Sequence, residues 1–575
     1  MVGPLSSTSA HLESERNAST NRVRSDAGTI FLHWLTFAAM AISLATGLRI
    51  SADGLGAVWA SRLDALLPQG EIWTWHILAG LGLAFCTASY WVYLRRAVLL
   101  SRNSSKRLRT FRPPTTKRLR YRALNVALHW FAYAAIIALT VSGLALYLGH
   151  ADWFLTVHNV MAWTMLVYVL LHSLAHFLYG GIAQLLRLFR PEPLAQNAGA
   201  KLFPLGIALI TGMVTVVAAA TFDWASRPTI TALQVDSDPV LDGRLDEVFW
   251  KEADVATIAT HQGANLGGSG SSDVTMRAVT TPTHIHFSFQ WQDPTRSLMR
   301  VPLIKRQDGW HTMGTAIAEA DVNDYYEDKF AVMFSANDGF GGGESTFLGN
   351  DPLTSYPKSP HGRGLHFTSD GRILDLWQWK SARGGLLGHM DDMHFGPPKK
   401  PTAKEAAGKS RYAAGYSADP GKAIYEYNYI ADGPNDYDSP VRIKRLPQDL
   451  SAMKFALGSV PDRPDGTNDE TARWWLTREE SVPWNERLDD AIPVGTIMPS
   501  VLNIHDYAGD RADLSAGARW QDGVWTLEVS RVRDTGSPYD ITFHPGQRVF
   551  VWLSVFDRNQ TRHTRHQRSI VLDVH

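Results

Sequence analysis

Apolar residues are spread unevenly along this chain. Five long apolar runs, at about 29–48, 72–94, 124–148, 154–178 and 202–222, fill its first part. Each has the roughly 20 residues that a helix needs to cross a bilayer, so the pattern predicts five transmembrane helices. The first run starts too late and is too long for the apolar stretch of a cleaved signal peptide, and it lacks an obvious A-x-A cleavage site, so it reads as a retained helix. From Ile230 onward the period changes to short alternating runs bounded by turns. "DVTMRAVTTPTHIHFSFQWQD" predicts two strands around a Thr-Pro turn. Val274, Met276 and Ala278 share one face of the first strand, and Ile285, Phe287, Phe289 and Trp291 share one face of the second. "KFAVMFS", "ILDLWQWKS", "VWTLEVSRV", "RVFVWLSVFD" and "SIVLDV" add further strands, while 337–350 and 396–421 read as long inserted loops. The fold class is therefore a membrane α-helical bundle, four helices plus a fifth transmembrane helix, followed by an all-β sandwich. The expected boundaries are a tail over 1–24, the four-helix domain over 25–180, a loop with the fifth helix over 181–224, and the sandwich over 225–575.

Charge orients the spans. Residues 95–122 hold eleven Lys/Arg and no acid, which places this loop in the cytoplasm. A merely solvated loop and a lipid- or protein-binding one both fit that composition. The 50–71 loop carries Asp53, Asp64 and Glu71 against Arg62, and the 179–201 loop carries Arg187, Arg190 and Lys201 against Glu192, in agreement. An odd number of spans with a cytoplasmic N-terminus then exports everything after residue 222. In a bacterium this means an inner-membrane, multi-pass protein with a periplasmic C-terminal domain. Across all 575 residues, 56 Lys+Arg balance 56 Asp+Glu, which argues against a nucleic-acid partner and leaves membrane lipid as the evident one. One Cys excludes an intramolecular disulfide, a Cys-based zinc or iron–sulfur centre and a CxxCH haem attachment.

The chemistry-bearing residues of the spans are histidines: His33, His76, His129, His158, His172 and His176. A lone intramembrane His is usually a hydrogen-bonded packing residue, but six are too many for that reading. His76 and His158 lie near the periplasmic side, and His33, His129, His172 and His176 near the cytoplasmic side. His158 and His172 are fourteen residues apart on one helix, about 21 Å of rise on nearly the same face. Opposed imidazoles at two depths are what two stacked b haems require. His176 is nearly at the interface and suits a snorkelling or quinone-side role. "FLHWLTFAAMAISLATG" parallels "ALHWFAYAAIIALTVSG", and each is followed by a helix with an early His, which points to a duplicated helix pair.

On these residues, 22–179 resembles the bacterial di-haem cytochrome b family, the prokaryotic cytochrome b-561 type that also supplies membrane subunits of hydrogenases and formate dehydrogenases. The resemblance implies that His76 and His158 hold the periplasmic haem b and His33 and His172 the cytoplasmic one. His129 shares the LHW context of His33 and stays a candidate ligand.

In the exported part, "PVLDGRLDEVFWKEA" and "HIHFSFQWQDPT" resemble the sandwich superfamily of family 9-like carbohydrate-binding modules and the haem-binding subunit of ethylbenzene dehydrogenase, and "WQDPTRSL", "YYEDKFAVMFS", "DLWQWKSARGG" and "TGSPYDITFHPGQRVFVWLSVFD" favour the second branch. That resemblance implies a b haem held by side chains alone, a Met and a Lys or another axial pair. The late family Lys falls near "RHTRHQRSIV", where this chain offers His563 and His566. The segment where covalent-haem relatives carry CxxCH keeps His361 and His366 here. One ligand is expected from each segment. "HMDDMHFGPP" is the alternative, with His389, Met390, Met393 and His394, and it reads equally well as a surface loop. Asp391 and Asp392 lack regular calcium-loop spacing. Asp242, Gly243, Asp246 and Trp250 read as a turn and its packing.

The chain has no nucleotide-binding glycine loop, nucleophile elbow or metal-hydrolase motif. The expectation is a b-type cytochrome carrying electrons between the quinone pool and a periplasmic redox protein through two membrane haems and one periplasmic haem. Quinol oxidation or quinone reduction is the only enzymatic activity in view. A ligand- or carbohydrate-binding sensor on a cytochrome anchor and a transmembrane reductase are the alternatives.

Overall fold

Five helices occupy the apolar runs: α1 (Ala27–Ala52), α2 (Ile72–Arg96), α3 (Lys117–Tyr147), α4 (Asp152–Leu185) and α5 (Pro204–Ala225). All five are long and apolar enough to cross a membrane. The computed structural model describes residues 25–52, 62–111, 116–150, 152–192, 204–314, 316–317, 321–322, 325–339, 346–358, 364–431, 438–458 and 470–575. It divides into two bodies. The first comprises 1–47, 75–146 and 151–225, and the second 48–74, 147–150 and 226–575.

In the helical body, Met40 of α1, Leu83 of α2, Ala135 and Ile136 of α3 and Met165 of α4 form one buried cluster, the centre of a four-helix bundle. Large apolar side chains face outward, with Leu170 65% and Ile210 66% exposed, the inverse of a water-soluble bundle and right for lipid contact. α5 lies against α2 at Gly212, where a Cβ would come within 2.2 Å of Ser89 Oγ; only glycine permits that approach. Asp26 caps α1 by accepting from Thr29 N–H (2.8 Å). α4 leaves helical geometry at Gly180 and Gly181.

The second body is built on two sheets. Its main strands are β1 (Thr229–Thr231), β2 (Leu233–Gln234), β3 (Ala256–Thr260), β4 (Ser272–Thr280), β5 (His284–Gln292), β6 (Lys329–Ser335), β7 (Leu374–Lys380), β8 (Asp391–Phe395), β9 (Tyr416–Ala418), β10 (Ser515–Gln521), β11 (Val524–Val532), β12 (Arg548–Phe556) and β13 (Ile570–Asp573). One sheet runs β9-β8-β7-β6-β12-β13-β1; the other runs β10-β11-β5-β4-β2, with β3 also on β4. Their facing sides share one core, to which β5 gives Ile285, Phe287, Phe289 and Trp291 and β6 gives Phe330, Val332 and Phe334. The face that the sequence pattern gives to Ile285, Phe287, Phe289 and Trp291 is the inward one. β6 is buried along its whole length, however. Its other residues, Ala331 and Met333, belong to a second apolar cluster on the far side of the sheet, with Leu376, Met393, Phe395, Trp552 and Phe556.

Two loop expectations need correction. The "HMDDMHF" run is not a surface loop, because Asp391–Phe395 is a fully buried strand. The 396–421 segment is not all loop either, since it contains a short helix capped by Thr402 and the edge strand β9. The turn at Asp242 and Gly243 is held by the Glu528 carboxylate, which accepts from both main-chain N–H groups (3.2 and 2.9 Å) and from Trp250 Nε1 (3.1 Å).

Candidate functional site

Two histidines from different helices meet in the bundle. His76 of α2 and His158 of α4 have ring centroids 6.1 Å apart and planes at 74°. Imidazoles bound through nitrogen to opposite sides of one metal ion, with metal–nitrogen bonds of about 2 Å, have centroids about 6 Å apart. Each ring is oriented by a hydroxyl from a third and a fourth helix. Thr46 Oγ1 is 3.0 Å from His76 Nδ1, and Ser142 Oγ is 3.0 Å from His158 Nδ1. Thr46 donates its proton to the Ile42 carbonyl (2.6 Å) and Ser142 to that of Ala138 (2.7 Å). Each hydroxyl therefore accepts from Nδ1–H, which leaves the Nε2 lone pair of both rings available. The next residue is a glycine in each case. A Cβ on Gly47 would lie 3.2 Å from His76 Cε1, and one on Gly143 3.3 Å from His158 Cε1.

Thr46-Gly47 and Ser142-Gly143 occupy matching positions in the two LHW segments. The duplication was legible, but its purpose was not, because the hydroxyls act on rings that belong to other helices.

The other end of the bundle gathers more imidazoles. His129 and His172 have centroids 5.6 Å apart, and His172 and His176 4.6 Å. His129 Nδ1 donates to the Asn125 carbonyl (2.6 Å), again leaving Nε2 open. His176 Nδ1 is 2.7 Å from Tyr121 OH. His33 of α1 is near enough to His129 and His172 to interact with them electrostatically. Both sequence candidates for the partner of His172 are thus at this end, and the ring contact is with His129.

In the sandwich, His366 and His563 come together with centroids 6.4 Å apart and planes at 36°. His366 sits on a two-stranded ladder with Thr346–Phe347, and its Nδ1 is 3.3 Å from Thr346 Oγ1. His563 follows β12 and donates from Nδ1 to the Thr564 carbonyl (2.8 Å). Phe395 lies against His366 and Phe556 against His563, each at 4.9 Å, and both belong to the apolar outer face of the seven-stranded sheet. Burial, with the nearby His366, Arg565 and Lys329, pushes the His563 imidazole down to about 3, so it is neutral at any physiological pH. An imidazole pair on an apolar floor fits a b haem.

The remaining candidates are engaged elsewhere. Leu553 N–H donates to His566 Nε2 (2.9 Å) while His566 Nδ1 bonds the Arg568 carbonyl (2.6 Å), so both ring nitrogens are committed to the main chain. His361 lies outside the described residues. His394 pairs with Asp419 and stacks on Tyr539, Met390 is in the sandwich core, and half-buried His389 packs on Tyr507. Met393 Sδ is 3.8 Å from Lys380 Nζ, which is itself paired with Asp391. Burial opposes ionisation of Asp391, but Lys380 and Arg511 overcome it and hold its carboxyl down to about 2.

Comparison with known proteins follows the same division. Residues 24–191 match the family model for prokaryotic cytochrome b561, and residues 247–568 that for ethylbenzene dehydrogenase. No curated protein matches the chain. Among solved structures, a family 9 carbohydrate-binding module from Caldicellulosiruptor kristjanssonii in complex with glucose is 6% identical, covering 60% of this chain and 95% of its own, with a TM-score of 0.23. The same organism's module in complex with cellotriose is 8% identical, covering 60% and 94%, with a TM-score of 0.21. Neither likeness bears on what this chain binds. Prokaryotic cytochrome b561 is a family of haem b membrane cytochromes of electron transport, which gives the helical body its class. With the second model spanning more than half its length, the chain belongs to the ethylbenzene dehydrogenase family, and it carries a prokaryotic cytochrome b561 region ahead of that domain.

Proposed function

We propose that the protein passes electrons between the quinone pool and a periplasmic redox protein through three b haems. The observation that carries this is the recurrence of imidazole pairs about 6 Å apart, His76/His158 and the His172 group in the bundle and His366/His563 in the sandwich. His172 would share the inner haem with His33, as the family resemblance implies, and His129, whose ring adjoins that of His172, is the competing partner. Haem iron supplies the one-electron chemistry when bound. The chain's own work is to fix each ring's tautomer, present Nε2 and exclude water. Thr46, Ser142 and the Asn125 carbonyl hold Nδ1–H in the bundle, and the Thr564 carbonyl does so in the sandwich, where Phe395 and Phe556 shield the rings. At the inner end, His176 and Tyr121 form a hydrogen-bonded pair (2.7 Å) able to accept or return a quinol proton at the ring nitrogen.

The proposed topology places the tail 1–24 and the basic 95–122 loop in the cytoplasm of an inner-membrane protein, and 225–575 in the periplasm. It is supported by charge and by the make-up of the second body, which contains 48–74 and 147–150 together with 226–575. The test is a haem count with reduced-minus-oxidised spectra on the full-length protein. Three haems per chain are expected, of which His366→Ala and His563→Ala each remove one. A count of two in the wild type, unchanged by either substitution, would leave the sandwich without a redox role.

A further inference from the structure

The sandwich contains two triads of aspartates whose ligand-capable oxygens lie within 4.8 Å of one another: Asp375, Asp392 and Asp540, and Asp293, Asp328 and Asp557. They differ in where the arginine stands. Arg531 enters the first triad, its Nη1 lying 2.7 Å from Asp375 and 3.6 Å from both Asp392 and Asp540, with the guanidinium 4.8 Å from the Trp377 ring centre. One guanidinium nitrogen thus touches all three carboxylates. In the second triad, Arg558 Nε stands 3.4 Å from Asp557 Oδ1.

The second triad is deeply buried, with Asp293, Asp328 and Asp557 0%, 0% and 1% exposed. Asp293 follows β5, Asp328 precedes β6 and Asp557 follows β12, so strand ends of both sheets converge there. Asp328 Oδ2 accepts from Ser297 N–H (2.7 Å) and Trp525 Nε1 (3.2 Å). Asp293 Oδ1 accepts from the Thr295 N–H and hydroxyl (3.1 and 3.3 Å), but its buried Oδ2 has no donor. Next to Asp557, Asn559 donates from Nδ2 to the Asp557 carbonyl (2.8 Å), and its own buried Oδ1 also has no donor. Unsatisfied carboxylate and carboxamide oxygens in a dry interior are costly unless a cation takes them.

We propose that Asp293, Asp328 and Asp557, with Asn559 as a neutral neighbour, form a calcium-class divalent cation site that clamps the two sheets together. The donors are all oxygen, which selects a hard cation over zinc or copper. Calcium at 2.3–2.6 Å from its ligands spans oxygens up to about 5 Å apart, as the triad needs, whereas magnesium at 2.0–2.1 Å spans about 4 Å.

The test is equilibrium dialysis of the full-length protein in detergent against Ca2+, together with its unfolding midpoint in Ca2+ and in EDTA. One tightly bound Ca2+ is expected, with a lower midpoint in EDTA that added Ca2+ restores. Asp293→Asn should weaken that binding by about tenfold or more, and Asp375→Asn should leave it unchanged. Undiminished binding in folded Asp293→Asn, loss in Asp375→Asn alone, or no bound Ca2+ in the wild type would overturn the proposal.

Discussion

The His76/His158 pair of the bundle and the pair in the sandwich present nearly the same spacing by opposite means. His76 and His158 stand on two long helices, and each is steadied by a hydroxyl-glycine step, Thr46-Gly47 or Ser142-Gly143, from another helix. His366 and His563 come from a two-residue strand and from the chain just past β12, and are steadied by Thr346 and by the Thr564 carbonyl. The floor beneath them belongs to an apolar cluster spread over five strands of the seven-stranded sheet, β6 to β9 and β12. A helix carries ligands at a fixed rise and angle, so repeating a short motif repeats the site. A sandwich has no such local ruler, and its site depends on which distant strands pair.

The comparison presumes that the two sites lie at different places across one membrane, and a reporter can break that outright. A phosphatase fused after residue 222 should be active, and one inserted in the 95–122 loop silent. The reverse result would make the sandwich cytoplasmic.

Ligand removal is the next largest effect. His158→Ala should lose the outer bundle haem and keep the inner one, and His172→Ala should do the opposite. Neither should touch the sandwich haem, which His366→Ala or His563→Ala should remove alone. Haem-to-protein ratios and low-temperature difference spectra read each loss. A sandwich haem retained in both of the last two variants would move that site away from this pair.

Orienting groups should matter less, and more in the bundle than in the sandwich. Thr46→Val and Ser142→Ala leave Nδ1–H without its acceptor, and each should weaken haem retention by about 10–100-fold on dilution. Gly47→Ala and Gly143→Ala press a methyl against the ring edge and should shift the haem midpoint potential at modest occupancy cost. Equal sensitivity of Thr346→Val would mean that the helical site is no better defined than the β one.

The smallest effect separates ligand from brace. His566 is held down to about 4 by burial, from an ordinary 6.5, and His563 to about 3. The unfolded chain binds protons on these rings that the folded chain refuses. Their contribution to stability is therefore full above about pH 6.5 and is lost as pH falls toward those depressed values. His566→Gln should lower stability by about 1–3 kcal/mol at pH 7 through the orphaned Leu553 N–H and should flatten the loss between pH 6.5 and 4.5. Its haem spectrum should match the wild type, and a changed spectrum would put His566 back among the ligands.

Much of the bundle could be read directly. The five apolar runs, the charge step at 95–122 and the positions of His76, His158 and His172 all depend on helix period and span length, which are local properties of the chain. The inward faces of β4 and β5 were equally plain, because alternation is local too. Other features were not. "HMDDMHF" reads as polar, yet Lys380 of β7 and Arg511 from a segment far along the chain pair with Asp391, so a charged run becomes a buried one. His563 and His566 are equivalent by sequence, and only the fold commits one ring to Leu553 N–H and Arg568 and aims the other at His366.

The sequence by itself determined the two classes of body, their order and the depth of the bundle histidines, since 3.6- and 2-residue periods act over a few neighbours. The tertiary structure decided which imidazoles face each other, which aspartate triad an arginine touches at all three carboxylates, and which sheet is covered on both faces. Each of these depends on contacts between segments distant along the chain, where register and packing set the outcome and no local period carries the information.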